Sequence, residues 1–202
     1  MTAVGRPAVF LDRDGTVTVE RGYVTRPEDL ELIPGAGAAV RALNEAGLLA
    51  VLVSNQSGVA RGLMSEEDLA CVHRALEDLL GAEGAELDAA YYCPNHPDGT
   101  VGRYTRDASC RKPALGMLEL ATADRDIDVR TSYMVGDQLT DVGFAAGAGL
   151  TMVLVLTGKG RETERAAREK GLEVAATLPD LREAARWIID RTSCGSTGEE
   201  ER

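Results

Sequence analysis

Val9-Phe10-Leu11-Asp12-Arg13-Asp14-Gly15-Thr16 runs from a short apolar stretch directly into two carboxylates two residues apart. The stretch from Ala8 to Leu11 is unbroken rather than alternating, which reads as a strand buried on both faces. Acids that follow such a strand emerge at its C-terminal end, where open α/β sheets bind ligands. Two acids this close repel, so each needs a cation or its own protonation state. A hard divalent ion such as magnesium meets that need. So does a division of labour in which one acid is a nucleophile and the other carries a proton. Taken alone, the segment also fits a polar turn closed by Asp14-Gly15.

Further along the chain, short apolar runs alternate with amphipathic stretches, the pattern of βα units feeding a parallel sheet. The predicted strands are Ala8 to Leu11, Leu49 to Val53, Ala89 to Tyr92, Ser132 to Val135 and Thr151 to Leu156, with an edge strand at Val174 to Ala176. The predicted helices are Ala36 to Glu45, Glu66 to Leu80, Ala114 to Arg125, Thr140 to Ala148, Glu162 to Lys170 and Leu181 to Asp190. Ser65 followed by Glu66, Glu67 and Asp68 marks one helix start, and Leu69, Val72 and Leu76 continue it at helical spacing. The expected fold is α/β and Rossmann-like, a mainly parallel sheet flanked by helices with no large cap domain.

At 202 residues the chain suits one domain, expected over residues 1–191. Thr192 to Arg202 is rich in Ser, Gly and Glu and lacks an apolar face, so it is expected to be a disordered tail. The formal charge of −11 disfavours nucleic-acid and anionic-membrane partners but leaves room for a small anionic substrate met by a few local cations. No signal-peptide pattern or membrane-length apolar run is present, so a cytoplasmic enzyme is expected, and the chain is expected to be a monomer. The four cysteines, Cys71, Cys93, Cys110 and Cys194, are too scattered for a disulfide scaffold and are expected to be reduced.

Three more segments fall where strands or loops reach the same end of the sheet: Ser54-Asn55-Gln56, Arg111-Lys112-Pro113, and Gly136-Asp137 with Asp141 four residues on. In this order, over about residues 8 to 160, the set resembles the haloacid dehalogenase superfamily of aspartate-nucleophile phosphatases. That resemblance implies that Asp12 attacks phosphorus to form an aspartyl-phosphate while Asp14 protonates the leaving oxygen and then activates water. It implies that Ser54, Asn55 and Lys112 hold the phosphoryl oxygens. Magnesium would lie on the Asp12 side chain, the Asp14 backbone carbonyl and Asp137, with Asp141 supporting from behind. The electrostatic logic agrees, because phosphoryl transfer is helped mainly by positioning and by cations on the equatorial oxygens.

Arg21-Gly22-Tyr23-Val24, the run from Ser54 to Gly62, Tyr91-Tyr92-Cys93-Pro94, Cys110-Arg111-Lys112-Pro113, Tyr133 to Asp137 and Thr157-Gly158-Lys159 are similar to the heptose 1,7-bisphosphate phosphatases of that superfamily. The related histidinol-phosphate phosphatases usually lack the Ser57-to-Gly62 continuation and the Gly22-Tyr23-Val24 segment. The resemblance implies removal of the C7 phosphate of D-glycero-D-manno-heptose 1,7-bisphosphate, with Arg21, Gly22, Tyr23, Gln56 and Arg111 as substrate contacts. Histidinol phosphate or another sugar phosphate is the alternative substrate. A non-catalytic phosphosugar-binding protein is the reading from a different class, and the retention of Asp12, Asp14, Ser54, Lys112 and Asp137 counts against it. Members of this group typically carry a zinc loop with a Cys-x-His pair and a Cys-x-Cys pair. Here Asn95 and Ala108 stand at two of those four positions. Cys93, Cys110 and His96 are the residual ligand candidates, and zinc is not expected.

Overall fold

Ala8–Leu11 forms β1, and its four side chains are all buried. They divide between two cores: Val9 and Leu11 pack on one side of the sheet, Ala8 and Phe10 on the other. A strand in that position must lie in the middle of a sheet covered on both faces. The computed structural model of the chain describes residues 5–105 and 108–195 and places five more strands around β1. These are β2 (Leu49–Asn55), β3 (Ala89–Cys93), β4 (Tyr133–Gly136), β5 (Thr151–Val155) and β6 (Ala176–Leu178). All pairings are parallel, in the order β3-β2-β1-β4-β5-β6.

The helices are α1 (Ala36–Glu45), α2 (Glu66–Ala82), α3 (Gly116–Asp124), α4 (Leu139–Ala148), α5 (Gly160–Glu169) and α6 (Leu181–Gly195). Val40 and Leu43 of α1, Val72, Leu76 and Leu80 of α2, and Ala184 and Ile188 of α6 fill the first core. Met117 and Ala121 of α3 with Val142, Phe144 and Ala145 of α4 fill the second. The result is the expected Rossmann-like sheet between helical layers, and no segment among the described residues forms a large cap. No helix of the described residues is long and apolar enough to cross a membrane.

Most predicted boundaries lie within two residues of the observed ones, and the departures have local causes. The start of α2 is the predicted one: Ser65 Oγ accepts from the Asp68 N–H at 3.0 Å while Asp68 accepts from the Ser65 N–H at 2.8 Å, a capping box. Helix α3 begins at Gly116 rather than Ala114 because the chain is still turning there. The Ala114 N–H donates to the Arg111 carbonyl and the Gly116 N–H to the Ser109 carbonyl. Strand β6 lies two residues later than predicted. The tail boundary is corrected as well, since α6 continues to Gly195 and the hydroxyls of Thr192 and Ser193 donate to the carbonyls of Ile188 and Ile189. Residues 196–202 of the predicted tail lie outside the described residues.

Candidate active site

Because every strand is parallel, the loops after β1, β2, β3, β4 and β5 emerge at one end of the sheet. Asp12 follows β1 and Ser54 and Asn55 end β2, which places them on one cavity of about 330 Å³, while Asp137, after β4, is buried beside Asp12 behind the cavity's lining. Asp12 is 4% exposed, Asp137 and Asp141 are 0% exposed, and Lys112 is 1% exposed. Lys112 Nζ donates to Asp12 Oδ1 at 2.8 Å and to Asp141 Oδ1 at 2.7 Å. An ammonium has three N–H groups, so one remains for a further acceptor. Burial works against the charge on Lys112, but Asp12 and Asp141 outweigh it and raise its pKa.

Asp12, Asp137 and Asp141 offer oxygens that all lie within 4.8 Å of one another. Asp141 is already committed, its second oxygen accepting from the Gln138 N–H at 3.0 Å. Asp137 accepts from the Lys159 N–H at 2.7 Å through Oδ2, while its Oδ1 is buried with no hydrogen-bond partner among the described residues. Burial pushes the Asp137 pKa up to about 8, with the charge of Asp12 adding to the effect. Burial also raises the Asp12 pKa, against the opposing pull of Lys112. Three buried carboxylates, one ammonium and an orphaned carboxylate oxygen fit a hard divalent cation with oxygen ligands. The approach to Asp137 is so close that a Cβ on Gly15 (φ +88°) or on Gly158 (φ +52°) would overlap its carboxylate, so only glycine suits those two turns.

The structure brings Asp12, Asp14, Gly22, Tyr23, Ser54, Asn55, Gln56, Arg111 and Lys112 to the cavity wall. The side chains of three predicted contacts have other partners in the structure. Arg21 does not line the cavity; its guanidinium pairs with Glu31 on the exposed surface. Asn55 spends its side-chain amide on the backbone of Lys112, donating to the Lys112 carbonyl at 3.1 Å and accepting from its N–H at 2.9 Å. Gln56 is 6% exposed and donates to Asp14 Oδ2 at 2.9 Å and Ser54 Oγ at 3.0 Å, while Arg13 donates to its Oε1 at 3.0 Å.

The cysteine expectation is also corrected. Cys93 closes β3 and Cys110 returns beside it with a Cα–Cα separation of 5.4 Å, and the two form a disulfide, a separation within disulfide reach. The residual zinc ligand candidates have other partners in the structure. The two sulfurs are bonded to each other, while His96 accepts the Asp98 N–H at Nδ1 and faces Arg61 at Nε2.

Several lining residues carry no predicted role: Glu20, Arg61, Gln138, Thr140 and Lys159, while the sequence marks His96 only as a residual zinc ligand candidate. Arg61 and Lys159 lie inside motif segments already noted, so their position in those runs is the signal that marks them. Arg13 was equally readable as the one cation between two acids.

A family model described as HAD-hydrolase-like matches residues 109–184. The chain is 45% identical over 187 residues to the D-glycero-D-manno-heptose-1,7-bisphosphate 7-phosphatase of Thermosynechococcus vestitus, covering 91% of this chain and 95% of that one. The chain belongs to the HAD hydrolase family. A second relative, the D-glycero-beta-D-manno-heptose-1,7-bisphosphate 7-phosphatase of Yersinia pestis, is 45% identical over 86% of this chain and 93% of its own. The crystal structure of D,D-heptose 1,7-bisphosphate phosphatase from B. bronchiseptica, complexed with magnesium and phosphate, superimposes with a TM-score of 0.80 at 33% identity. That match covers 92% of this chain and 99% of the other. The chain is accordingly a phosphatase, a phosphoric monoester hydrolase of the HAD family.

Proposed function

We propose that this phosphatase removes the C7 phosphate of D-glycero-D-manno-heptose 1,7-bisphosphate through an aspartyl-phosphate on Asp12. The observation that carries the substrate reading is the pair Arg61 and Arg111 at the cavity wall. Neither has a carboxylate partner among the described residues. Burial and then the charge of Arg61 hold the Arg111 pKa below its ordinary value, and burial with both arginines lowers that of His96. Two uncompensated guanidiniums await an anion. A bisphosphate bound by one phosphate at Asp12 still carries a second dianion to meet them, whereas the ammonium of histidinol phosphate would be repelled.

In the proposed first step an Asp12 oxygen bonds to phosphorus, the ester P–O bond breaks, and the leaving oxygen takes a proton from Asp14. Water then attacks the aspartyl-phosphate, Asp14 accepts a proton from that water, and Asp12 is released with inorganic phosphate. Lys112 directs its third N–H at a phosphoryl oxygen, and Ser54 supplies a hydroxyl beside it. Asp12, Asp137 and the Asp14 backbone carbonyl would hold magnesium, whose charge when bound neutralises the phosphoryl oxygens. Asn55 and Asp141 keep Lys112 in place, one through its backbone and the other through its ammonium. On this reading the chain acts as a cytoplasmic monomer on a small sugar phosphate, and the Cys93–Cys110 link rather than zinc holds the loop before Arg111.

The test compares kcat/KM for heptose 1,7-bisphosphate, heptose 7-phosphate and histidinol phosphate with magnesium present. The bisphosphate is expected to lead, and Arg111→Ala to erode that lead by roughly 2 to 4 kcal/mol. A preference for histidinol phosphate, or an equal loss on all three esters, would sink the heptose assignment and leave the phosphatase standing.

A further inference from the structure

Arg13 is the largest fully buried side chain, at 0% exposure, yet it carries a charge. Burying a guanidinium is costly unless it is paired and hydrogen-bonded. Its pairing is with the neighbouring acid: Nε donates to Asp14 Oδ1 at 3.0 Å and Nη2 to Asp14 Oδ2 at 2.8 Å. The other Nη2 hydrogen goes to Gln56 Oε1, and Gln56 returns its own Nε2 hydrogens to Asp14 Oδ2 and Ser54 Oγ. Oδ2 of Asp14 is thus held by two donors whose remaining hydrogens are already committed.

Oδ1 is held less firmly. Besides Arg13 Nε, its only other donor among the described residues is the Thr18 hydroxyl at 3.2 Å, which is equally placed to donate to the Arg13 carbonyl at 3.2 Å. A hydroxyl has one proton and can serve one of these acceptors at a time. The clasp therefore fixes one oxygen of Asp14 and leaves the other with a lone pair to spare whenever Thr18 turns to the carbonyl.

We propose that Arg13, supported by Gln56, is a positioning residue for proton transfer: together they anchor Asp14 by Oδ2 so that Oδ1 serves the leaving oxygen. The inference rests on the role assigned above to Asp14. It makes Gln56, expected from sequence to touch substrate, part of the same clasp.

Leaving-group dependence tests it, because an alkyl leaving oxygen needs the proton and a strongly acidic phenol does not. The variants are Arg13→Met, Arg13→Lys and Gln56→Leu, with Asp14→Asn as reference and thermal unfolding as a check on folding. For Arg13→Met, kcat/KM on heptose 1,7-bisphosphate is expected to fall by about 100-fold, while that on 2,4-dinitrophenyl phosphate falls by less than about threefold. Arg13→Lys, which keeps the charge and loses the fork, should lie between wild type and Arg13→Met. Gln56→Leu should show the same selectivity more weakly, and it decides the matter if Arg13→Met does not fold. Equal losses on both esters for the folded variants would show a merely structural arginine and overturn the proposal. If Asp14→Asn itself loses both equally, the Asp14 assignment is what fails, and this inference falls with it.

Discussion

Asp137 accepts one backbone N–H through Oδ2 and buries Oδ1 with no partner among the described residues. A lone buried acceptor costs the full loss of its hydration, and burial has pushed this acid up to about pH 8. Asp137→Asn replaces the titrating acid by a permanently neutral group of nearly equal volume and keeps an acceptor for the Lys159 N–H. The metal-free variant is expected to melt above metal-free wild type near neutral pH, by about 2–4 °C for each kcal/mol recovered. It should also lose turnover, together with the thermal stabilisation that magnesium is expected to give wild type. Calorimetry with and without the ion checks this, and an unchanged magnesium shift in the variant would contradict it. At this scale the acids were legible, because a carboxylate just after a buried strand has few innocent uses. The destinations of long polar side chains were not legible. Arg21 turns outward to Glu31 while Arg61 faces the cavity, and nothing local to either residue separates the two outcomes.

Between elements, the end of β2 is tied to the loop before α3 by the two Asn55–Lys112 hydrogen bonds. Lys112 reaches Asp12 across 100 residues of sequence, so its position depends on that clasp. Asn55→Ala should cost about 1–3 kcal/mol of stability, the penalty for part-buried backbone groups left unpaired, and should lower kcat more than it raises KM. A loss confined to KM would return Asn55 to direct substrate contact. Elements with their own signals, such as the Ser65 cap of α2 or the unbroken apolar run of β1, were legible almost to the residue. Strand β6 was not, because three residues carry no periodicity and its register is set by β5 through pairs such as Val153 with Ala176. The Cys93–Cys110 link was missed for a related reason. The two cysteines are 17 residues apart in sequence, and only the return path of the loop after β3 makes them neighbours.

Over the whole molecule, a formal charge of −11 surrounds a site that on the proposed reading accepts a polyanion, so the local cations and a bound metal would have to overcome the field of the rest of the chain. The same balance sets how stability varies with pH. Asp137 and Asp12 both have folded-state pKa values above the ordinary carboxylate value of 3.8. Between that value and the raised one, the folded chain binds more protons than the unfolded chain, so stability falls as pH rises through the window. Lys112 is shifted upward as well, from 10.5, so it stays charged throughout and does not reverse the sign. Magnesium held by these acids, as proposed, would compete with those same protons, and the stabilisation it gave would therefore grow as they leave. The metal-free protein is expected to have a lower Tm at about pH 8 than at about pH 5.5, and the rise in Tm on adding magnesium is expected to be larger at the higher pH. Asp137→Asn should flatten both trends. Thermal melts across that range in chelator and in magnesium make the measurement, and a magnesium shift independent of pH would mean that the ion is not held by these acids.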